Sequence, residues 1–274
     1  MAVKPPGTME VVMANQKLRF YQTGTYPFPY TTIGSDTALT VSKHEGKPAL
    51  AFLTQTPKED DIVFLRLYRK ASQETGRFSS PPNYWGISGL AYDQSRNLLW
   101  ATEGLGTLNQ HADRIIGIDA DSGKHIDTIK VPQLDSHALA FNGMYFVRSD
   151  GSVLEMIDRS GNILATLQVP IGTNCRGLSA APWTYIASDT LENKLVIISL
   201  FGQVVAECGE LPGEPGGIEA VAFDNIQDFS TIPQFPESVE SPQKPWEPVP
   251  WNFRHTIYLA NQKDQMIYFG YFYQ

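Results

Sequence analysis

Three side chains stand out for the chemistry that they could share: the imidazole of His137, the guanidinium of Arg176 and the carboxylate of Glu219. A histidine titrates near neutrality and carries protons. An arginine binds a carboxylate or a developing oxyanion, and a glutamate orients such groups or acts as a base. Their separations, 39 and 43 residues, are too wide for any local motif. What links them is their place in a repeat.

The segments "TALTVS" from Thr37, "SGLAYD" from Ser88, "HALAFN" from His137, "RGLSAA" from Arg176 and "EAVAFD" from Glu219 superimpose. Each has a variable first residue, then Gly or Ala, then Leu or Val, then a small Ala, Ser or Thr. A second apolar run follows each one and ends in polar residues, as in "LLWATEG" or "TYIASD". A third run and a turn come next, as in "RIIGIDADSGKHIDTI" and "VLEMIDRSGNILATL", with glycines where tight turns demand a positive φ. Four short strands repeated at intervals of 39 to 51 residues predict an all-β, five-bladed β-propeller.

The last blade contains a Pro-rich stretch, about 225–254, that cannot pair as a central strand and reads as one long loop. The chain ends in "QMIYFGYFYQ", a third strand without an outer neighbour, and "KLRFYQTG" near the N-terminus can supply it. That pairing closes the ring, and residues 1–274 then form a single propeller domain.

The phrases "ISGLAYDQSRNLLWATEG" and "IIGIDADSGKHIDTI" resemble the group that includes the NHL-type, SMP-30-like and glutaminyl-cyclotransferase-like propellers. The likeness spans most of the chain but rests on the structural repeat. Glutaminyl cyclotransferases place Gln, Glu and Trp beside the Gly-Leu pairs, where this chain has Ser88, His137 and Arg176. The SMP-30-like enzymes hold a divalent metal in a ring of carboxylates and amides, which Arg176 interrupts here. The resemblance therefore implies the fold and neither activity.

In a propeller the first strand of each blade lines the axis and starts on the face where the second strand ends. Thr37, Ser88, His137, Arg176 and Glu219 then form an innermost ring. Gln55, Glu103, Ser149, Asp189 and Gln262 form a second one, with Thr54, Thr102, Arg148, Ser188 and Asn261 beside them. Packing at a crowded axis explains the Gly/Ala and Leu/Val positions but leaves the first position free. His137, Arg176 and Glu219 are the expected catalytic residues, and Thr37, Ser88, Glu103, Arg148 and Asp189 the expected substrate contacts. Loops expected at the same rim bring Tyr26, Phe28, Tyr30, Tyr84 and Trp85, which can wall an apolar or aromatic ligand. A plainer reading stands beside this one. Arg176 and Glu219 can form an ion pair that plugs the channel, with His137 bonded to Ser88 or a backbone carbonyl.

Composition narrows the partners. A net charge of −8 argues against nucleic acid, whose phosphates need a basic surface. No run of 18 apolar residues occurs, and the N-terminus lacks the apolar core of a signal peptide, so a cytoplasmic protein that does not bind membranes is expected. Two cysteines, Cys175 and Cys208, exclude a disulfide framework and Cys-rich zinc sites. Cys175 adjoins Arg176, which could lower its pKa, although a buried inert thiol is the simpler expectation. His44, His111, His125 and His255 lack metal-ligand spacing, and the pairs Asp60/Asp61 and Asp119/Asp121 read as turn caps. No metal and no cofactor are expected.

Two functions fit. One is a small-molecule enzyme without redox cofactor: a lyase, cyclase, isomerase or hydrolase. The other is a module that binds a protein or glycan through the rim or through the Pro-rich loop with Trp246 and Trp251, the polar ring serving as a plug.

Overall fold

A computed structural model describes residues 16–27, 38–55, 60–68, 71–79, 87–103, 113–134, 136, 138–168, 175–181, 184–224 and 256–273. All regular structure among them is β. After β1 (Gln16–Pro27), one meander takes β2 (Leu39–His44), β3 (Lys47–Gln55), β4 (Asp60–Tyr68) and β5 (Ala71–Ser79). A second takes β6 (Ile87–Asp93), β7 (Leu98–Glu103), β8 (Arg114–Asp119) and β9 (His125–Lys130). A third takes β10 (Ala138–Phe141), β11 (Phe146–Ser149), β12 (Val153–Ile157) and β13 (Ile163–Gln168).

The remaining strands are β14 (Cys175–Ala181), β15 (Thr184–Asp189), β16 (Lys194–Ser199), β17 (Val204–Cys208), β18 (Ile218–Phe223), β19 (Ile257–Asn261) and β20 (Met266–Tyr273). They form one eight-stranded sheet in the order β14-β15-β16-β17-β1-β20-β19-β18. The joint is β1. Its first residues, Gln16 to Leu18, pair in parallel with Ala206 to Cys208, and Arg19 to Pro27 then run antiparallel to β20. The N-terminal strand thus completes the last meander, as its sequence predicts, and also fastens it to the preceding one. The Pro-rich insertion lies outside the described residues.

The five strands that open with the repeated segment, β2, β6, β10, β14 and β18, touch in succession, and β18 returns to β2. The repeat is explained by how closely they approach. A Cβ at Gly89 would stand 2.6 Å from the Leu139 nitrogen, and one at Gly177 2.7 Å from the Val221 nitrogen. Where the repeat has alanine instead, Ala38, Ala138 and Ala220 are buried. Thr40, Tyr92, Leu139, Ser179 and Phe223 are among the residues from these strands lining a narrow axial cavity of about 10 Å³, room for roughly one water.

Between the sheets the seams are mainly apolar. Phe52, Phe64 and Leu50 pack with Tyr258 and Ile267 on one side, and Trp100 meets Phe146 edge-on at 5.1 Å on another. Each fully buried side chain of this size contributes about 1.5–3 kcal/mol. Hairpin turns follow the sequence. Gly161 has φ +87°, and a Cβ there would collide with the Lys130 carbonyl oxygen at 1.9 Å. Asp119 accepts bonds from the Ser122 nitrogen (2.7 Å) and hydroxyl (2.6 Å), which makes it a turn cap as expected. Asp61 differs. It lies inside β4 and pairs with Arg77 at 2.6 Å, so it is a strand residue and not a turn residue.

Candidate functional site

The starts of the inner strands and the ends of the second strands meet at one rim. Ile87 pairs with Glu103, Cys175 with Asp189, and Ile218 with Asn261. Immediately after each of these pairs the ladder slips. Ser88 is the extra residue between Ile87 and Gly89, Arg176 and Gly177 stand opposite Ser188, and Glu219 is the extra residue between Ile218 and Ala220. The variable first position of the repeat is therefore a β-bulge in three strands. A bulge bends its strand and re-aims the side chain, which is why this position escapes the packing that fixes its neighbours.

Two bulged side chains come together. Arg176 Nε lies 3.9 Å from Glu219 Oε2 across the boundary between β14 and β18, with Arg176 28 % exposed and Glu219 9 %. This is a loose ionic contact beside solvent, unlike the tight pairs made by Arg77, Arg148 and Arg159. A half-solvated guanidinium next to a nearly buried carboxylate can hold a ligand oxyanion and move or accept a proton.

Ser88 is placed differently. It is buried, donates to the Ser136 carbonyl in a very short contact, and lies 3.4 Å from the Thr102 hydroxyl. Its hydroxyl thus ties β6 to the segment that leads into β10. Arg148 is buried and fully engaged within the protein. Only 1 % exposed, it meets Glu155 Oε2 through Nε (2.9 Å) and Nη2 (2.7 Å) and donates to the Pro132 carbonyl at 2.6 Å. Burial pulls its pKa down against the opposing pull of Glu155. An arginine so engaged holds a seam rather than a ligand, because β-strand alternation puts its side chain between sheets. Asp189 is buried and accepts a bond from the Glu192 nitrogen at 3.2 Å, which caps the turn after β15.

Tyr26 also departs from its expected place in a rim loop. It belongs to β1, is 5 % exposed and stacks on Phe269 with centroids 5.1 Å apart, and burial raises its pKa. The strand runs on to Pro27 because β20 offers partners through Met266. The backbone of Glu103 ends β7 at the rim, but its side chain lies outside the described residues, as do His137, Thr37, Phe28, Tyr30, Tyr84 and Trp85.

Cys175 is fully buried. Desolvation pushes its thiol up to about 12, Ser149 pulls it down, and Asp189 and Asp150 add to the rise, so it is no nucleophile at neutral pH. Among the described residues no group of three or more His, Cys, Asp or Glu side chains is placed to hold a metal ion. Sequence reasoning missed Thr190, whose hydroxyl donates to the Ile218 carbonyl at 2.9 Å. A threonine one residue past a strand end carries no sign that it reaches the neighbouring strand.

No protein-family model matches the sequence, and no curated protein does. Among solved structures, the glutaminyl cyclase of Myxococcus xanthus matches with a TM-score of 0.59 at 14 % identity, over 94 % of this chain and 99 % of that one. The fold is propeller-like. A nidogen/laminin complex (TM-score 0.46, 16 % identity, 78 % of this chain and 70 % of that one) and a mitotic checkpoint complex (0.46, 12 %, 88 % and 68 %) resemble it less well. At such identities the likeness concerns the fold alone. In this propeller the rim that bears Arg176 and Glu219 is the end at which the second strands finish.

Proposed function

We propose that the protein is a five-bladed propeller enzyme that carries out non-redox acid/base chemistry on a small organic molecule held over the axis. Five blades are supported by the five inner strands that touch in a closed ring, the eight-stranded sheet being two blades joined by β1. The single observation that carries the activity is the loose Arg176–Glu219 contact, formed by two bulged side chains at the rim. Arg176 stabilises negative charge on the substrate, Glu219 serves as acid or base, and His137, at the same register on the repeat before Arg176, shuttles the proton. The reaction belongs to the lyase, cyclase, isomerase or hydrolase classes. The aromatic loop residues Phe28, Tyr30, Tyr84 and Trp85 take the apolar part of the substrate, and the chain works in the cytoplasm.

A glutaminyl cyclase of similar fold makes glutaminyl compounds the first substrates to try. A panel of these and other carbonyl compounds, followed by mass spectrometry, should show one converted by the wild type. His137→Ala and Arg176→Ala should each abolish that conversion while thermal unfolding shifts by no more than about 4 °C. Full activity in both variants would end the proposal.

The engagement of Ser88 and the near burial of Glu219 favour a second reading, in which the polar ring plugs the channel of a binding module. In that case Trp246→Ala and Trp251→Ala in the Pro-rich loop reduce partner binding, and changes at Arg176 or Glu219 alter stability alone.

A further inference from the structure

We propose that Thr190 is a positioning residue for Glu219, its hydroxyl holding the bulge that turns this carboxylate toward Arg176. The inference rests on the reading of Glu219 as the acid/base group. The three inner bulges differ in how they are propped. At the first, the hydroxyl of Thr102, on the adjoining strand β7, approaches Ser88 at 3.4 Å. At the second, Ser188 on β15 accepts a bond from the Gly177 nitrogen at 2.7 Å. In both, a prop comes from the second strand of the same meander, and Ser88 itself also donates to the Ser136 carbonyl on the segment that leads into β10.

The Glu219 bulge has such a prop and one more. On its own side, Asn261 Nδ2 donates to the Glu214 carbonyl at 3.0 Å and the Gln262 nitrogen to the Gly217 carbonyl at 2.7 Å, which clamps the chain before Ile218. From the other side comes Thr190, buried, directly after β15, with its 2.9 Å bond to the carbonyl of Ile218. That carbonyl belongs to the residue just before Glu219. β15 is also the ladder partner of β14, which carries Arg176. Thr190 therefore ties the backbone of Glu219 to the strand pair that bears its ionic partner. Without the hydroxyl the Ile218 carbonyl can turn, and the bulge relaxes by a rotation that withdraws Glu219 from Arg176. A carboxylate that loses a nearby cation is protonated more readily.

The test needs no substrate. The Glu219 carboxyl is titrated by carbon NMR, its resonance assigned by its disappearance in Glu219→Gln. Thr190→Val should move the midpoint upward, and Thr190→Ser, which restores the hydroxyl, should return it to the wild-type value. If Thr190→Val folds poorly, Thr190→Ala serves in its place. An unchanged midpoint in the hydroxyl-free variant, or an equal shift in Thr190→Ser, would overturn the proposal. Arg176→Ala is titrated alongside. Should that variant leave the midpoint in place, the Arg176–Glu219 contact is not what governs the carboxylate, and the catalytic reading fails separately.

Discussion

The inner and outer strands of the sheets are both bulged, at opposite edges and to different effect. On the inner strands the slips fall at Ser88, at Arg176 and Gly177, and at Glu219, beside the rim and in contact with the neighbouring strands. On the outer strands they fall at Thr23, Thr75, Ile126, Leu164 and Val205, once in each. Thr23 and Thr75 donate to carbonyls of the strand beside them, at 3.1 and 3.4 Å, whereas Ile126 and Leu164 are about half exposed. Where the outer strand ends its sheet, as β5, β9 and β13 do, a bulge twists the open edge away from pairing with another chain. An inner bulge has neighbouring strands close by, so what it frees is a side chain aimed at the rim. The same backbone irregularity protects the molecule at one edge and can equip it for chemistry at the other.

One of the two largest effects should come from crowding an inner bulge. Gly177→Ala puts a methyl group 2.7 to 2.9 Å from backbone atoms of Ala220 and Val221, with no flexible side chain to yield. Denaturant unfolding should show a loss of about 2–3 kcal/mol. Next comes the contrast between two arginines. Arg148→Ala leaves Glu155 without its buried partner and should cost about 3 kcal/mol, while Arg176→Ala removes a loose pair near solvent and should cost about 1 kcal/mol or less. Equal costs would remove the distinction between an arginine that holds a seam and one that serves the rim.

A third prediction concerns acid. Burial pushes the Asp93 carboxyl up, but bonds from Ser95 and the Arg159 guanidinium at 2.8 Å outweigh it, and the pKa ends below the ordinary carboxylate value. A carboxylate depressed in the folded state stabilises the protein above its unfolded pKa, about 3.9, and that contribution is lost as pH falls from there through the folded value. Stability measured down through this window should therefore fall less steeply in Arg159→Ala than in the wild type. The smallest effect belongs to the outer bulge. Leu164→Lys, at a half-exposed position, should change stability by no more than about 0.5 kcal/mol.

The repeat was legible because packing wrote it. All five segments became inner strands, since only Gly or Ala fits where neighbouring backbones approach so closely. The closing strand was legible from the missing partner of "QMIYFGYFYQ", but its second pairing with β17 was not, because a three-residue parallel contact leaves no periodic trace. Arg176 and Glu219 were found by their register, and the structure brings them together. Arg148 and Tyr26 shared the rim in sequence order and yet point into seams. Which face a strand residue takes depends on ladder register and on where the strand ends, and neither is written in residue type. The bulges themselves were hidden for the same reason.

If Glu219, turned to the rim by its bulge, does chemistry there, its carboxyl is needed for turnover and not for folding. The most direct measurement pairs turnover of the compound that the wild type converts with thermal unfolding, in Glu219→Gln, which keeps size and shape but cannot exchange a proton. Turnover should be lost with the unfolding temperature essentially unchanged; retained turnover, or a collapse of stability in its place, would rule out a catalytic Glu219.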